Sequence, residues 1–343
     1  MSRVDDLSER EVRVLDSVIQ LYIETAEPAG SQAVVARSRL GVSSATIRNT
    51  MSDLETRGYL FHPHTSSGRI PTDLAYRAYV DRLMHHAPPK PEERERIETE
   101  VAGGAIGEIL SRAAQVLGVL TQELGVAVAP ALDHAVLDRL ELVRLSSERV
   151  LVVLTLATGF ARTIFLEVPG SVAADAVDRV ARILNERLAG LPLGEIRASV
   201  TERLRDADGS AEGSHLLNVF ITQREGVFDT APDGGGLLLG SAQPLADQPE
   251  FASNGRMREL LELTERRDLI RNAFEAHRRR GLTITIGNEN DDARFAGFTV
   301  VTASYRRGDL TGVLGVLGPT RMPYDKIIGL VQHTSRMVEG LLT

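Results

Sequence analysis

GVSSATIRNTMSDLETRGYL, residues 41–60, is ordered in a way that fixes its role in the fold. Gly41-Val42-Ser43 reads as a tight turn into a helix, and Gly58 as that helix's stop. Between them Ile47, Met51 and Leu54 recur at i, i+4 and i+7, one apolar stripe facing inward. At about 100° per residue, Ala45, Asn49, Ser52 and Thr56 fall on the opposite face, with Thr46 and Arg48 on its flanks. A merely solvated helix carries a Glu/Lys mixture there. This face is small, neutral and hydrogen-bonding near the helix start, a surface that enters the DNA major groove without steric or charge penalty.

The flanks agree with that reading. Upstream, Ser8 and Glu11 form a capping box, with Leu7 and Val12 placed as a hydrophobic staple. Val14, Leu15, Val18, Ile19 and Tyr22 follow at helical spacing. Pro28-Ala29-Gly30 breaks the chain, and Ser31 is expected to cap a second helix running through Leu40. Downstream, YLFHPHTSSGRIPTD (59–73) reads as two short strands, Tyr59–His62 and Arg69–Ile70, around a Ser/Gly turn. Thr72 then caps a helix to about His86. Helix, helix, turn, helix and hairpin in that order is the winged-helix plan, a relative of the helix-turn-helix.

Candidate DNA contacts follow from the plan: Ser31 and Gln32 on the second helix, then Ser44, Ala45, Thr46, Arg48, Asn49 and Ser52 on the third. His64, Ser66, Ser67 and Arg69 on the hairpin are expected against the backbone or the minor groove. Asn49 has the geometry to pair with adenine, Arg48 with guanine or a phosphate, and Ala45 to touch a thymine methyl.

Composition bounds the rest. At 343 residues, 43% hydrophobic and 25% charged, the chain is expected to hold two or three globular domains. The absence of cysteine excludes disulfide scaffolds, cysteine zinc sites and thiol catalysis. MSRVDDLSEREVRVLD, the first sixteen residues, has no apolar run like a signal peptide, and Val150–Leu156 is too short to span a bilayer, so a cytoplasmic protein with no membrane partner is expected. A net charge of −8 argues against non-specific coating of nucleic acid. Yet from Gly30 to Thr72 five arginines stand against Asp53 and Glu55, a local charge of +3. Lys90 and Lys326 are the only lysines, so nearly every cation is a planar guanidinium suited to forked contacts.

Beyond the hairpin, Ala87-Pro88-Pro89-Lys90-Pro91-Glu92 reads as a stiff exposed linker. Helical patterning resumes from about Glu93 to Leu124, interrupted at Gly103-Gly104. Leu137–Leu145, Val150–Leu156 and Thr163–Val168 read as an antiparallel meander, followed by an amphipathic helix, Ala173–Leu188. The turn-rich stretch from about Leu191 to Gly281 looks inserted, because strands resume at Thr283–Ile286, Phe295–Tyr305 and Leu310–Leu317 before a closing helix, Tyr324–Leu342. The expected class is α/β (α+β): a winged helix at 1–87, a linker and connecting helix at 88–104, a mixed domain with one antiparallel sheet at 105–190 and 281–343, and an insert at 191–280. That insert is the candidate dimer contact.

Chemistry is harder to find. Asp233-Gly234-Gly235-Gly236 lacks the Gly-Lys-Ser/Thr ending of a phosphate loop and reads as a hairpin turn. His62-Pro63-His64 has no evident third or fourth metal ligand. No Ser/His/Asp set or carboxylate pair stands out, so no enzyme, catalytic residue, cofactor or metal is expected.

SSATIRNTMSDLETRGYL (43–60), FHPHTSSGRIPTD (61–73), LSRAAQVLGVLTQELGVAVAP (110–130) and GVLGVLGPTRMPYDKII (312–328) together resemble the heat-inducible transcription repressor HrcA family, over nearly the whole chain. The resemblance implies a homodimeric repressor on an inverted-repeat operator in double-stranded DNA ahead of chaperone operons. It also implies a GAF-like domain interrupted by a dimerisation domain, and activity supported by the GroE chaperonin. The alternative is a ligand-responsive winged-helix transcription regulator with a small-molecule sensor domain, which requires a pocket with convergent polar groups.

Overall fold

The computed structural model describes residues 7–63, 68–83, 88–104, 106–159, 161–168, 173–205, 207, 210–228, 236–308 and 310–342. Helix α1 (Glu9–Thr25) begins at the expected capping box: the Ser8 hydroxyl accepts from the Glu11 amide, and the Glu11 carboxylate accepts from the Ser8 amide. Helix α2 (Ser31–Ser38) departs from expectation at both ends. Gly30 is its N-cap, Ser31 is its first helical residue, and the left-handed Arg39 (φ 51°) ends it before Leu40.

Helix α3 (Ser44–Thr56) is capped by Ser43, whose hydroxyl accepts from the Thr46 amide. It closes around Gly58, φ 82°, where only glycine is unstrained: the Gly58 amide donates to Glu55 and the Tyr59 amide to Leu54, both at 2.9 Å. The apolar stripe lies where the periodicity requires. Ile47, Met51 and Leu54 are fully buried in one core with Val14, Leu15, Val18, Ile19 and Val34.

Strands β1 (Leu60–Phe61) and β2 (Ile70–Pro71) pair antiparallel, β1 two residues shorter than the sequence suggests and β2 shifted by one, and Ala29 makes an isolated antiparallel bridge with Arg69. Helix α4 (Asp73–Ala78) starts at the Thr72 cap and runs into a single π-helical turn, Tyr79–Leu83. Helices α5 (Pro91–Val101) and α6 (Ile106–Thr121) follow, separated by Gly103 and Gly104, both at positive φ. Then come β3 (Leu124–Val128), β4 (Leu137–Arg144), β5 (Arg149–Leu156), β6 (Ala161–Glu167), α7 (Ala174–Leu188), α8 (Leu193–Leu204), α9 (Ala211–Thr222) and α10 (Arg224–Val227). The chain ends with β7 (Leu237–Leu239), α11 (Gln243–Ala246), α12 (Asn254–Glu265), α13 (Arg267–Glu275), β8 (Thr283–Ile286), β9 (Phe298–Arg307), β10 (Leu310–Pro319) and α14 (Tyr324–Leu342).

Packing divides the chain into two compact units, one of Met1–Val128, Leu237–Tyr305 and Val313–Thr343, the other of Ala129–Gly236 and Arg306–Gly312. The first contains the N-terminal helices and a five-stranded sheet ordered β7-β3-β10-β9-β8. Leu124, Val126 and Val128 of β3 point into a core with Phe251, Leu260, Leu263, Ile270, Phe274 and Phe298. On the other face, α6 lies so close that a Cβ at Gly125 would overlap the Ala114 carbonyl. The second unit is the meander, β4-β5-β6, as a sheet of its own. Its β5 alternates as a half-covered strand must: Val150, Val152, Leu154 and Leu156 are buried with Val177, Val180 and Leu184 of α7, while Leu151 and Val153 face the other way.

The expected single sheet, with three strands on each side of an insert, is therefore corrected. Among the described residues the meander strands pair only with one another, and the late strands join β3 through β10, with β7 on the far side of β3. The described residues between 191 and 228 fall in the unit of the meander, and 237–280 in the unit of the five-stranded sheet.

Candidate nucleic-acid interface

The side of α3 away from the core is bare. Ala45, Arg48, Asn49, Ser52 and Thr56 are exposed, and Ser44 and Thr46 are half-buried. Arg48 and Asn49 have no hydrogen-bond or ion-pair partner among the described residues. The N-termini of α2 and α3 converge: the Ser31 and Ser44 hydroxyls lie 2.8 Å apart, each on the first residue of its helix. Unpaired amides and the positive ends of two helix dipoles thus share one surface, next to the exposed Gln32. Ser31 does not cap α2; it ties the two helix starts together.

Of the five arginines in the basic stretch, three are committed to structure. Arg37 forks onto Glu24, at 2.7 Å to each carboxylate oxygen, and reaches Gln20. Arg57 pairs with Glu11 at 3.1 Å. The hydrogen bond from Ser8, foremost, and the Arg57 guanidinium hold the Glu11 carboxyl below its usual range. Arg69 donates from Nε to Glu55 Oε2 at 2.8 Å, with its side chain only 14% exposed. Arg39 and Arg48 remain without a partner among the described residues. Arg39 lies in the turn between α2 and α3, where nothing in its local sequence marks it beyond its charge.

Arg69 thus sits differently from the expectation of a backbone contact: it pins β2 to α3, and its main chain exchanges hydrogen bonds with Ala29 at 2.9 and 3.0 Å. Gly68 precedes it because a Cβ there would overlap the Pro28 and Ala29 backbone. Thr72 caps α4 and donates to the Gly58 carbonyl at 2.7 Å. The Gly-Arg-Ile-Pro-Thr run therefore fixes the hairpin on the helices. Phe61 of β1, 52% exposed, is an outward aromatic that the sequence reading did not single out. His64, Ser66 and Ser67 lie outside the described residues, as do Asp233, Gly234 and Gly235.

Among the described residues no group of three or more metal-ligating side chains stands together, and no helix is long and apolar enough to cross a membrane. An open cleft of about 580 Å³ beside α12 is lined by Arg256, Arg266 and Arg294 and by Glu259, Glu262 and Glu265, with Arg256 paired to Glu259 and Arg294 to Asp292.

Residues 107–328 match the family described as the HrcA protein C terminal domain. A heat-inducible transcription repressor HrcA of Chlorobium phaeobacteroides strain BS1 is 40% identical over 96% of this chain and 96% of its own. The protein of that name from Geobacter sulfurreducens is 36% identical over 98% of both. A solved structure described as a hypothetical protein shares the fold, with a TM-score of 0.70 over 98% of this chain and 99% of that one at 23% identity. These relatives place the chain in the class of transcription repressors, mixed α/β in fold with antiparallel sheets. The chain belongs to the HrcA family of heat-inducible transcription repressors.

Proposed function

We propose that the chain is a cytoplasmic, homodimeric repressor whose N-terminal helices and hairpin form a winged helix on an inverted-repeat operator in double-stranded DNA. The observation that carries this reading is the bare face of α3, with Arg48 and Asn49 exposed and unpaired on a helix anchored by its opposite stripe. Water satisfies an exposed arginine and amide on any helix, so what distinguishes this face is that Ala45, Asn49, Ser52 and Thr56 make it small and neutral around Arg48. On a recognition helix, base edges supply the partners. Ser31, Gln32, Ser44 and Thr46 then meet phosphate at the joined helix N-termini. His64, Ser66 and Ser67 remain the wing's contacts by expectation. Arg69 serves by holding the wing in place.

Two half-sites supply the specificity that one small domain lacks, and two-fold symmetry matches an inverted repeat. The meander offers a surface for that pairing. Val143, Leu151 and Phe165 form one cross-strand row on its uncovered side, and Val143, Leu145 and Phe165 are 45%, 51% and 63% exposed. A concentrated apolar patch of this kind marks an interaction surface. We infer the dimer contact on this meander face, where the sequence pointed to 191–280. The first unit's sheet is read as the GAF-like domain, and the GroE chaperonin as the partner that maintains the binding-competent state.

The test is Asn49→Ala, measured by fluorescence anisotropy on the gene's own upstream DNA and on scrambled DNA. A loss of about 1–3 kcal/mol on the former with little change on the latter is expected. Equal losses on both show that Asn49 reads no base.

A further inference from the structure

The motif Gly318-Pro319-Thr320-Arg321-Met322 is the stretch that the DNA-binding reading leaves unused. Its arginine is 13% exposed and forked. Nε and Nη2 donate to the two carboxylate oxygens of Glu250, the latter at 2.9 Å, while Nη1 donates to the Ile23 carbonyl at 2.6 Å. Ile23 lies in the last turn of α1, where carbonyls have no partner within the helix. Glu250 sits on the short turn Pro249–Phe251, whose Phe251 is buried in the sheet core and stacks on Phe298 at 5.9 Å. One side chain therefore ties the end of α1 to the five-stranded sheet.

The surroundings are built for that clasp. Glycine at 318 leaves room for the Glu123 carboxyl, which is 1% exposed and accepts from Gln248 Nε2 at 3.1 Å. Met322 is fully buried. The Tyr324 hydroxyl donates to the Thr320 carbonyl at 2.6 Å, and its ring meets Tyr76 of α4 at 5.7 Å and Tyr79 at 6.4 Å. A second fork lies on α4, where Arg77 pairs with Glu289 and donates to the Ile284 carbonyl at 2.7 Å. Asp73 accepts from the Asn288 amide at 3.2 Å. Two arginine forks and a tyrosine cluster attach the N-terminal helices to the sheet.

The geometry points to Arg321 as a positioning residue for DNA binding: the Glu250–Arg321–Ile23 clasp fixes α1, and through it α3, so that a change in the sheet changes operator affinity. The inference rests on the repressor reading above. Helix α1 transmits the constraint because Val14, Leu15, Val18 and Ile19 share a dry core with Ile47, Met51 and Leu54, and packed cores shift as units. A fork bonding in two directions loses an arm if either side moves. Lysine, a point charge, holds Glu250 or Ile23 but not both in that geometry. Operator affinity needs two α3 helices in register with two half-sites, whereas random DNA needs only charge.

The experiment uses the full-length protein with Arg321→Lys, Arg321→Gln and Glu250→Gln. Hydrogen exchange at residues 22–26 is read alongside binding to the upstream operator and to random DNA. All three variants are expected to exchange roughly ten-fold faster or more at the end of α1, with β3 and β10 unchanged. Operator affinity falls and random-DNA affinity holds. Should Arg321→Gln fail to fold, Arg321→Lys carries the same readings, since it keeps a cation beside Glu250. Unchanged exchange at 22–26 overturns the clasp. Faster exchange with wild-type operator affinity makes Arg321 a fastener and overturns the coupling. A wild-type chain with no preference for upstream DNA overturns the repressor reading itself, and the coupling with it.

Discussion

Replacing Arg69 by alanine separates the two roles open to the hairpin. The Arg69–Glu55 pair is 2.8 Å long, with side chains 14% and 33% exposed. A buried charge-assisted hydrogen bond contributes about 1.5–3 kcal/mol and an exposed pair about 0.2–1. Glu55 is a third open to solvent, so screening brings the estimate to about 1 kcal/mol. That energy joins β2 to α3, and its loss loosens the wing. Operator binding should weaken by about five-fold at most, as 1 kcal/mol dictates. Its dependence on salt should not change, because a guanidinium bound to Glu55 displaces no counterions from DNA. A phosphate contact would instead lower the slope of log K against log salt by about 0.9. The assay is anisotropy titration over a salt series for wild type, Arg69→Ala and Arg48→Ala, with denaturant unfolding in parallel. A slope reduced by about one unit in Arg69→Ala, with stability unchanged, refutes the reasoning and puts Arg69 on the DNA.

Phe165→Asp sets a charge in the middle of the uncovered meander face; the expected result is a folded monomer by light scattering, and a variant that stays dimeric puts the contact elsewhere. Burial, only partly offset by the Gln248 hydrogen bond and Arg321, pushes the Glu123 carboxyl well above its ordinary 4.5, so the folded chain keeps a proton that the unfolded chain releases. Its contribution is present below that ordinary value and declines as pH rises from there towards the folded value. Glu123→Gln, always neutral, should match wild type near about pH 4 and exceed it at about pH 7 in urea unfolding, and equal pH profiles contradict this. After mild heating, operator binding should return further with GroE and ATP than without, as the proposed chaperonin partnership requires; equal recovery contradicts that partnership.

The helices and their ends were largely readable because their signals are local. The Ser8/Glu11 box, the α3 stripe and Gly58 all act within a few residues, and α14 and β8 fall at their expected bounds. Strand β3 was hidden because all five of its residues are buried, leaving no alternation to tell it from the apolar helix before it. Strand β7 has three residues, too few for a period. Missing both gave the late strands the wrong neighbours. The α3 face was legible for the same local reason as its core stripe. Arg69 was not, because its partner Glu55 stands across a turn, and Gly68 answers to Pro28 and Ala29, forty residues upstream by about that count. Ser31 looked like a cap by residue type, and only the fold brings its hydroxyl to Ser44.

In the proposed repressor, two copies present α3 to two half-sites. Hydroxyl-radical footprinting on the gene's own upstream DNA, with the mass of the complex measured on the same fragment, tests it most directly. Two chains on one inverted repeat are expected, with protected half-sites centred about 34 Å apart or a multiple of that. The pattern should vanish when Arg48 and Asn49 are both replaced by alanine. A single chain on a site without a repeat, or a footprint that the double replacement leaves intact, would contradict this arrangement.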